Sequence, residues 1–252
     1  INPFKFGMIG STDGHNTIST TQEDNFFGKF PGSEPSPKRL DTQMAGVLWE
    51  NWRIVASGYA AVWARENTRE ALFDAFKRRE VYATTGSRIQ VRFFGGWDYQ
   101  PNDVDRPAYL DIAYSGGVPM GGDLMQAPPD KAPTFLVVAA KDPDGANLDR
   151  VQIVKGWLGQ DGGLSEKVYN VAWSGDRKVD PATGKLPAVG NTVEVESATY
   201  LNSIGATDLA VVWLDPDFDA QERAFYYARV LEIPTPRWTT YDAAFFNLEL
   251  DA

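Results

Sequence analysis

The only histidine of the chain, His15, stands two residues after an aspartate in the run Gly10-Ser11-Thr12-Asp13-Gly14-His15-Asn16. Side chains two positions apart on an extended backbone point to the same side, so the Asp13 carboxylate and the His15 imidazole are expected to converge. A carboxylate and an imidazole placed this way can share one divalent metal ion. The residues before them, Phe4 to Ile9, are apolar and end at Gly10, which reads as a buried strand of a parallel sheet. Positions just past the carboxy end of such a strand are where α/β barrels and open α/β sheets carry out their chemistry. The plainer reading is a turn in which Asp13 caps a backbone amide and His15 is a surface or satisfied core histidine.

Arg65 and Glu66 follow a second apolar stretch, Tyr59–Ala64, and precede a helix start. At a strand end Glu66 can orient a ligand or bind metal, and Arg65 can hold an anionic substrate group. Against that, Glu66 suits a helix amino terminus on electrostatic grounds alone, and Arg65 can simply be solvated. Two acidic runs, Asp142–Asp149 and Asp215–Asp219, alternate oxygen donors and invite a calcium reading. Neither fits the twelve-residue EF-hand loop, and Asp-Pro and Asp-Gly are ordinary turn formers, so turns between strands are favoured. Aromatic residues make up 13% of the chain; strand propensity and core packing account for them more cheaply than a ligand-binding surface. No Walker or Rossmann glycine loop is present, and Gly116-Gly117 and Gly121-Gly122 fit tight hairpin connections.

The elements that must position these residues divide into an α/β first third and an all-β remainder. Phe30–Pro37 is too rich in turn residues to be regular. Tyr59–Glu80 reads as a β-α unit. In it Asn67 is the expected N-cap with Glu70 three residues on, and Ala71, Leu72, Ala75 and Phe76 form the apolar face. Lys77-Arg78-Arg79 puts positive charge at the helix end. After Gly86, candidate strands are Ile89–Phe94, Tyr109–Tyr114, Thr134–Ala140, Val151–Lys155, Lys167–Trp173, Thr192–Glu196, Leu209–Leu214 and Phe225–Glu232. Short strands separated by turn residues imply a β-sandwich of roughly immunoglobulin size. The expected boundary lies near Thr84–Arg88, giving units of residues 1–86 and 87–252.

Composition narrows the function classes. The 24 basic and 34 acidic residues give a net charge of −10, which leaves little material for a nucleic-acid-binding face. No apolar run approaches the roughly 18–20 residues of a membrane span. The absence of cysteine removes disulfide scaffolds, iron–sulfur clusters and thiol nucleophiles. It fits an exported or periplasmic protein as well as a cytoplasmic one. A Ser-His-Asp triad, or any histidine-bearing metal site, must use His15. The chain opens Ile1-Asn2-Pro3-Phe4 and runs at once into an apolar segment, so it is expected to be the carboxy-terminal part of a longer or processed protein.

Gly-Ser-Thr-Asp-Gly-His-Asn at 10–16 resembles the late Asp-x-His metal motif of the polymerase-and-histidinol-phosphatase (PHP) metallohydrolases. More closely, nearly the whole chain resembles the carboxy-terminal half of a bacterial family of unknown function related to them. The resemblance runs through Gly28-Lys29, Val62–Ala71, Lys77–Thr84, Phe93–Trp97, Val118–Leu124, Gln152–Trp157, Trp213–Asp219 and Glu232–Trp238. It implies an α+β fold: the last part of a PHP-like distorted β/α barrel, then an immunoglobulin-like antiparallel β-sandwich. It further implies that Asp13 and His15 are metal ligands (for Zn, Mn or Fe), with Asn16, Arg65 and Glu66 beside them as orienting or substrate-binding groups. The early His-x-His and other ligands of that pattern are missing. A catalytic zinc site takes about three protein ligands, so a missing amino-terminal portion or a second chain is expected to complete it. The reaction implied is hydrolysis of an anionic, phosphoester-like small molecule, this chain alone being inactive. The competing expectation is a non-catalytic β-sandwich binding or structural module.

Overall fold

A computed structural model describes residues 5–17, 20–42, 50–56 and 58–249. The fold is a sheet-rich mixture of helix and strand. Its centre is a pair of antiparallel sheets. The first runs β4-β3-β5-β8, from β3 (Gln90–Gly96), β4 (Gly117–Pro119), β5 (Thr134–Ala140) and β8 (Asp208–Leu214). The second runs β7-β6-β9, from β6 (Leu148–Leu158), β7 (Leu164–Trp173) and β9 (Arg223–Glu232). Val91, Phe93, Phe135, Val137 and Ala139 of the first sheet meet Leu148, Val151 and Ile153 of the second in one buried cluster. The Phe135 ring stands 4.5 Å from that of Tyr226 across the gap. The aromatic residues here are core, as their strand spacing implies.

The two sheets differ in cover, and the sequence reflects it. Helix α2 (Tyr109–Gly116) closes the outer face of the first sheet, where Phe94, Tyr99, Ala113 and Leu136 are buried together. With both faces covered, β5 reads as a continuous apolar run. The second sheet has one open face, and β9 alternates: Phe225 is exposed while Tyr226, Ala228 and Val230 pack inward.

Several elements depart from expectation. Tyr109–Tyr114 is helix, not strand, because Tyr109, Ile112 and Ala113 repeat at helical spacing and Ala113 is wholly buried against β3 and β5. Thr192–Glu196 forms no strand; a single bridge joins Glu194 to Thr199. Gly116 ends α2 and Gly117 opens β4, so that pair is no hairpin turn. Gly121 is required for another reason: its φ is +80°, and a Cβ there would meet the Arg79 carbonyl at 2.2 Å.

The first third also differs. β1 (Tyr59–Val62) and β2 (Val81–Thr84) flank helix α1 (Arg69–Lys77), but they pair antiparallel, Tyr59 with Thr84 and Val62 with Val81. The β-α unit therefore turns back on itself: Arg79 takes a left-handed conformation at φ +63° and reverses the chain. The α1 N-cap is Thr68, whose hydroxyl accepts the Ala71 N–H at 3.3 Å, one residue later than Asn67. Residues 5–9 form no strand, and Phe6, Met8 and Ile9 are exposed; Phe4 lies outside the described residues. No barrel closes among the described residues, whose sheets have two, four and three strands.

Helix α3 (Trp238–Phe246), which no sequence pattern announced, returns to the beginning of the chain. Trp238 is buried with Phe26 and Ala56, and Arg39 donates two hydrogen bonds to Asp242, at 2.6 and 2.7 Å.

Candidate functional site

Gly10 brings the chain to the Asp13–His15 turn by a close pass. A Cβ at Gly10 would lie 2.7 Å from the Tyr59 carbonyl and 2.9 Å from that of Thr84. The extended backbone then ends. Asp13 has φ +50°, so the same-side argument, which needs an extended chain, does not apply. Other contacts hold the turn. The His15 ring lies on Phe30, centroids 4.4 Å apart and planes 21° from parallel. Its Nδ1 is 3.0 Å from the Asp13 carbonyl, and its backbone N–H donates to the Lys29 carbonyl at 2.7 Å. Asn16 Nδ2 donates to the Gly28 carbonyl at 3.2 Å.

These contacts decide what each group has left to offer. A carbonyl only accepts, so the hydrogen bond to Asp13 requires a proton on His15 Nδ1. In the neutral ring Nε2 then carries the free lone pair. The Asp13 carboxylate is mostly exposed and faces Lys29 Nζ at 3.5 Å. The turn therefore presents one imidazole nitrogen and one carboxylate. Among the described residues no group of three His, Asp or Glu side chains could hold a metal ion.

Beside the turn lies an open cleft of about 470 Å³, lined by Ser11, Glu23, Lys29 and Arg237 among others. Lys29 joins cleft and turn, since it lines the one and pairs with Asp13 of the other. Glu23 accepts the Trp238 N–H at 2.6 Å, and Arg237 donates to the Ile54 carbonyl at 2.9 Å, so α3 fixes the far wall.

Arg65 and Glu66 do not join this site. Gly7 packs against Val81, and Gly10 against Tyr59 and Thr84. The early segment thus runs antiparallel to β1 and delivers Asp13 to the Tyr59–Thr84 end of the ribbon. Arg65 follows the opposite end, where it lines a second cleft of about 570 Å³ with Trp63, Arg78, Glu80 and Arg92. Glu66 is exposed and lines neither cleft. A shared barrel rim for all four residues is not what this ribbon builds.

The acidic runs are turns, and each already contains a cation. Lys141 Nζ donates to the carbonyls of Asp142, Pro143 and Gly145 at 2.7, 3.1 and 2.8 Å. Lys155, buried inside the second sheet, pairs with Asp215 at 2.8 Å and donates to the Asp217 carbonyl at 2.6 Å. Tyr226 donates to the same Asp215 carboxylate at 2.7 Å. Burial, reinforced by that bond and by the Asp215 charge, pushes the Tyr226 phenol far above its ordinary value, so it remains a donor.

Lys29, Arg237, Glu80 and Arg92 carry no local signal of a site. Lys77-Arg78-Arg79-Glu80 reads as helix-end charge; the lone acid closing a basic run is the only hint that Glu80 has partners. The chain matches, over residues 1–252, the family model described as a protein of unknown function, DUF3604. It belongs to the DUF3604 family. No curated protein and no solved structure matches it. Family membership thus brings no activity with it, and the Asp13–His15 turn of this DUF3604 chain has to be read from its own chemistry.

Proposed function

We propose that this chain contributes Asp13 and His15 to the divalent-metal centre of a hydrolase acting on an anionic, phosphoester-like substrate. The observation that carries the reading is the commitment of His15 Nδ1 to the Asp13 carbonyl, which leaves Nε2 and an exposed carboxylate as donors in one turn. Imidazole nitrogen and carboxylate oxygen suit Zn, Mn or Fe. A metal bound there would lower the pKa of a coordinated water and polarise the substrate oxygens. Two donors are fewer than the roughly three of a catalytic zinc site. The others come from a missing amino-terminal portion of the same protein, or from a second chain, which completes the PHP-like barrel and covers Phe6, Met8 and Ile9. Asn16 holds the turn through Gly28, and Lys29 with Arg237 receives the anionic group in the adjoining cleft. Arg65 and Glu66 have no part in this centre. The immunoglobulin-like sandwich is its accessory domain.

The absence of a third ligand among the described residues favours one other reading, a non-catalytic binding module built on the sandwich. Metal analysis by plasma emission separates the two. The expected result is near-stoichiometric metal in the chain joined to the rest of its protein, lost on Asp13→Ala with His15→Ala. Metal absent from the joined protein, or unchanged by the double variant, rejects the hydrolase reading in favour of the module.

A further inference from the structure

The second cleft stands apart from that centre and is organised by one buried acid. Glu80 is 3% exposed, and a carboxylate so placed needs partners. It has three: Arg78 Nε at 2.8 Å, the Tyr114 hydroxyl, and Arg92 Nη1 at 3.7 Å. Arg92 lies over Trp63, its guanidinium carbon 3.2 Å from the ring centroid, and its Nη1 donates to the Tyr114 oxygen at 3.1 Å. Arg78 Nη2 donates to the Trp63 carbonyl at 2.5 Å. Two long cationic side chains are thereby held in place at the wall of the cleft.

The hydrogen-bonding capacity of these cations is only partly spent. A guanidinium carries five N–H donors. Among the described residues no protein acceptor takes those on Arg78 Nη1, or on Arg92 Nε and Nη2. Among the described residues Arg65, just beyond β1, makes no hydrogen bond or ion pair. The cleft's charged lining is Arg65, Arg78 and Arg92 against Asp74 and Glu80, a surplus of one positive charge in a chain of net −10. Guanidinium groups match tetrahedral oxyanions by paired N–H donors. Asp74, on α1, makes the cleft a poor host for a second anionic group.

We propose that this cleft binds one tetrahedral oxyanion, the phosphate or sulfate group of a small organic molecule. Arg65, Arg78 and Arg92 are its donors, and Glu80 is the positioning residue. About 570 Å³ lies within the range of small-molecule sites, roughly 300–1,000 Å³. The Trp63 face is occupied by Arg92, so recognition rests on the anionic group and not on stacking of an aromatic ring.

The test is calorimetric titration of the chain with inorganic phosphate and with sulfate at constant ionic strength. Saturable binding is expected, weakened about tenfold or more by Arg65→Ala, the loss of one charge-assisted contact. Arg65 is exposed and supports nothing else, so that variant keeps the fold. Arg92→Lys, which retains the charge but loses the planar fork, is expected to weaken binding as well. Lys29→Ala, which alters the other cleft, is expected to leave the Arg65-dependent part of the binding unchanged, which separates this site from the metal centre. Tighter phosphate than sulfate assigns a phosphate ester, and the reverse a sulfate ester. No saturable binding of either anion overturns the proposal. So does binding that survives Arg65→Ala but disappears with Lys29→Ala.

Discussion

The acidic loops of the sandwich and the Asp13–His15 turn use similar residues to opposite ends. In the loops, oxygen donors converge and are already taken: Lys141 occupies three carbonyls, and Lys155 takes Asp215 together with the Asp217 carbonyl. In the turn a single carboxylate and a single imidazole keep capacity in hand, with Lys29 at 3.5 Å from the carboxylate. Density of acidic residues is thus a poor guide to a cation site. What distinguishes the two regions is whether donor capacity has been spent inside the protein.

The sharpest way to break that contrast is to empty a loop. Asp215→Ala leaves Lys155 charged and unpaired in the sandwich, a change expected to cost about 3–5 kcal/mol in urea denaturation. Adding Lys155→Met should recover part of the loss; no recovery would mean that the pair is not the source of the cost. Lys141→Ala strips an ammonium from three carbonyls and is expected to cost about 1–3 kcal/mol. Millimolar calcium should leave the melting temperature of the unaltered protein where it is. A rise would show that the loop still has room for a cation.

One carboxylate in the saturated region is an exception, and pH exposes it. Burial pushes the Glu232 carboxyl above its ordinary value, and the neighbouring Asp142 adds to this. Burial pushes Asp142 in the same direction, but N–H donors from Arg88 and Asp144 and the Arg88 guanidinium outweigh it and hold its carboxyl low. A raised carboxyl keeps its proton in the folded state over a range where the unfolded chain has lost it. Its contribution is therefore full below the ordinary glutamate range and disappears as pH rises through the raised value. Glu232→Gln should gain stability relative to the parent as pH rises above the ordinary glutamate range, read from melting temperatures across a pH series. A constant difference would discard the assignment. The smallest effect belongs to the open turn: Asp13→Ala and His15→Ala should each change the stability of this chain by less than about 0.5 kcal/mol, since both side chains are exposed. A larger loss would make the turn architectural.

The sequence conveyed elements more faithfully than their partners. β5 is legible to the residue, because a strand covered on both faces is a continuous apolar run. Tyr109–Tyr114 satisfies alternation and helical spacing at once over six residues, and only Ala113 packing under β3 and β5 settles it. The extended backbone expected from Asp13 to His15 is not found, because the left-handed position falls on Asp13 and not on the neighbouring glycine. The antiparallel return of β2 onto β1 passes through a left-handed residue, Arg79, which no local pattern marks. Glu80–Arg92 and Arg39–Asp242 are ion pairs between residues far apart in sequence, and periodicity carries no information about them.

The Arg39–Asp242 pair spans 203 residues. At roughly 5–20 residues per second, the carboxylate emerges from the ribosome on the order of ten to forty seconds after the guanidinium that it holds. Trp238 arrives equally late, although Phe26 and Ala56 are buried against it. The wall of the first cleft has to wait for α3. Order of synthesis therefore separates the two clefts: Trp63, Glu80, Arg92 and Tyr114 of the one are all made well before α3, which the other requires.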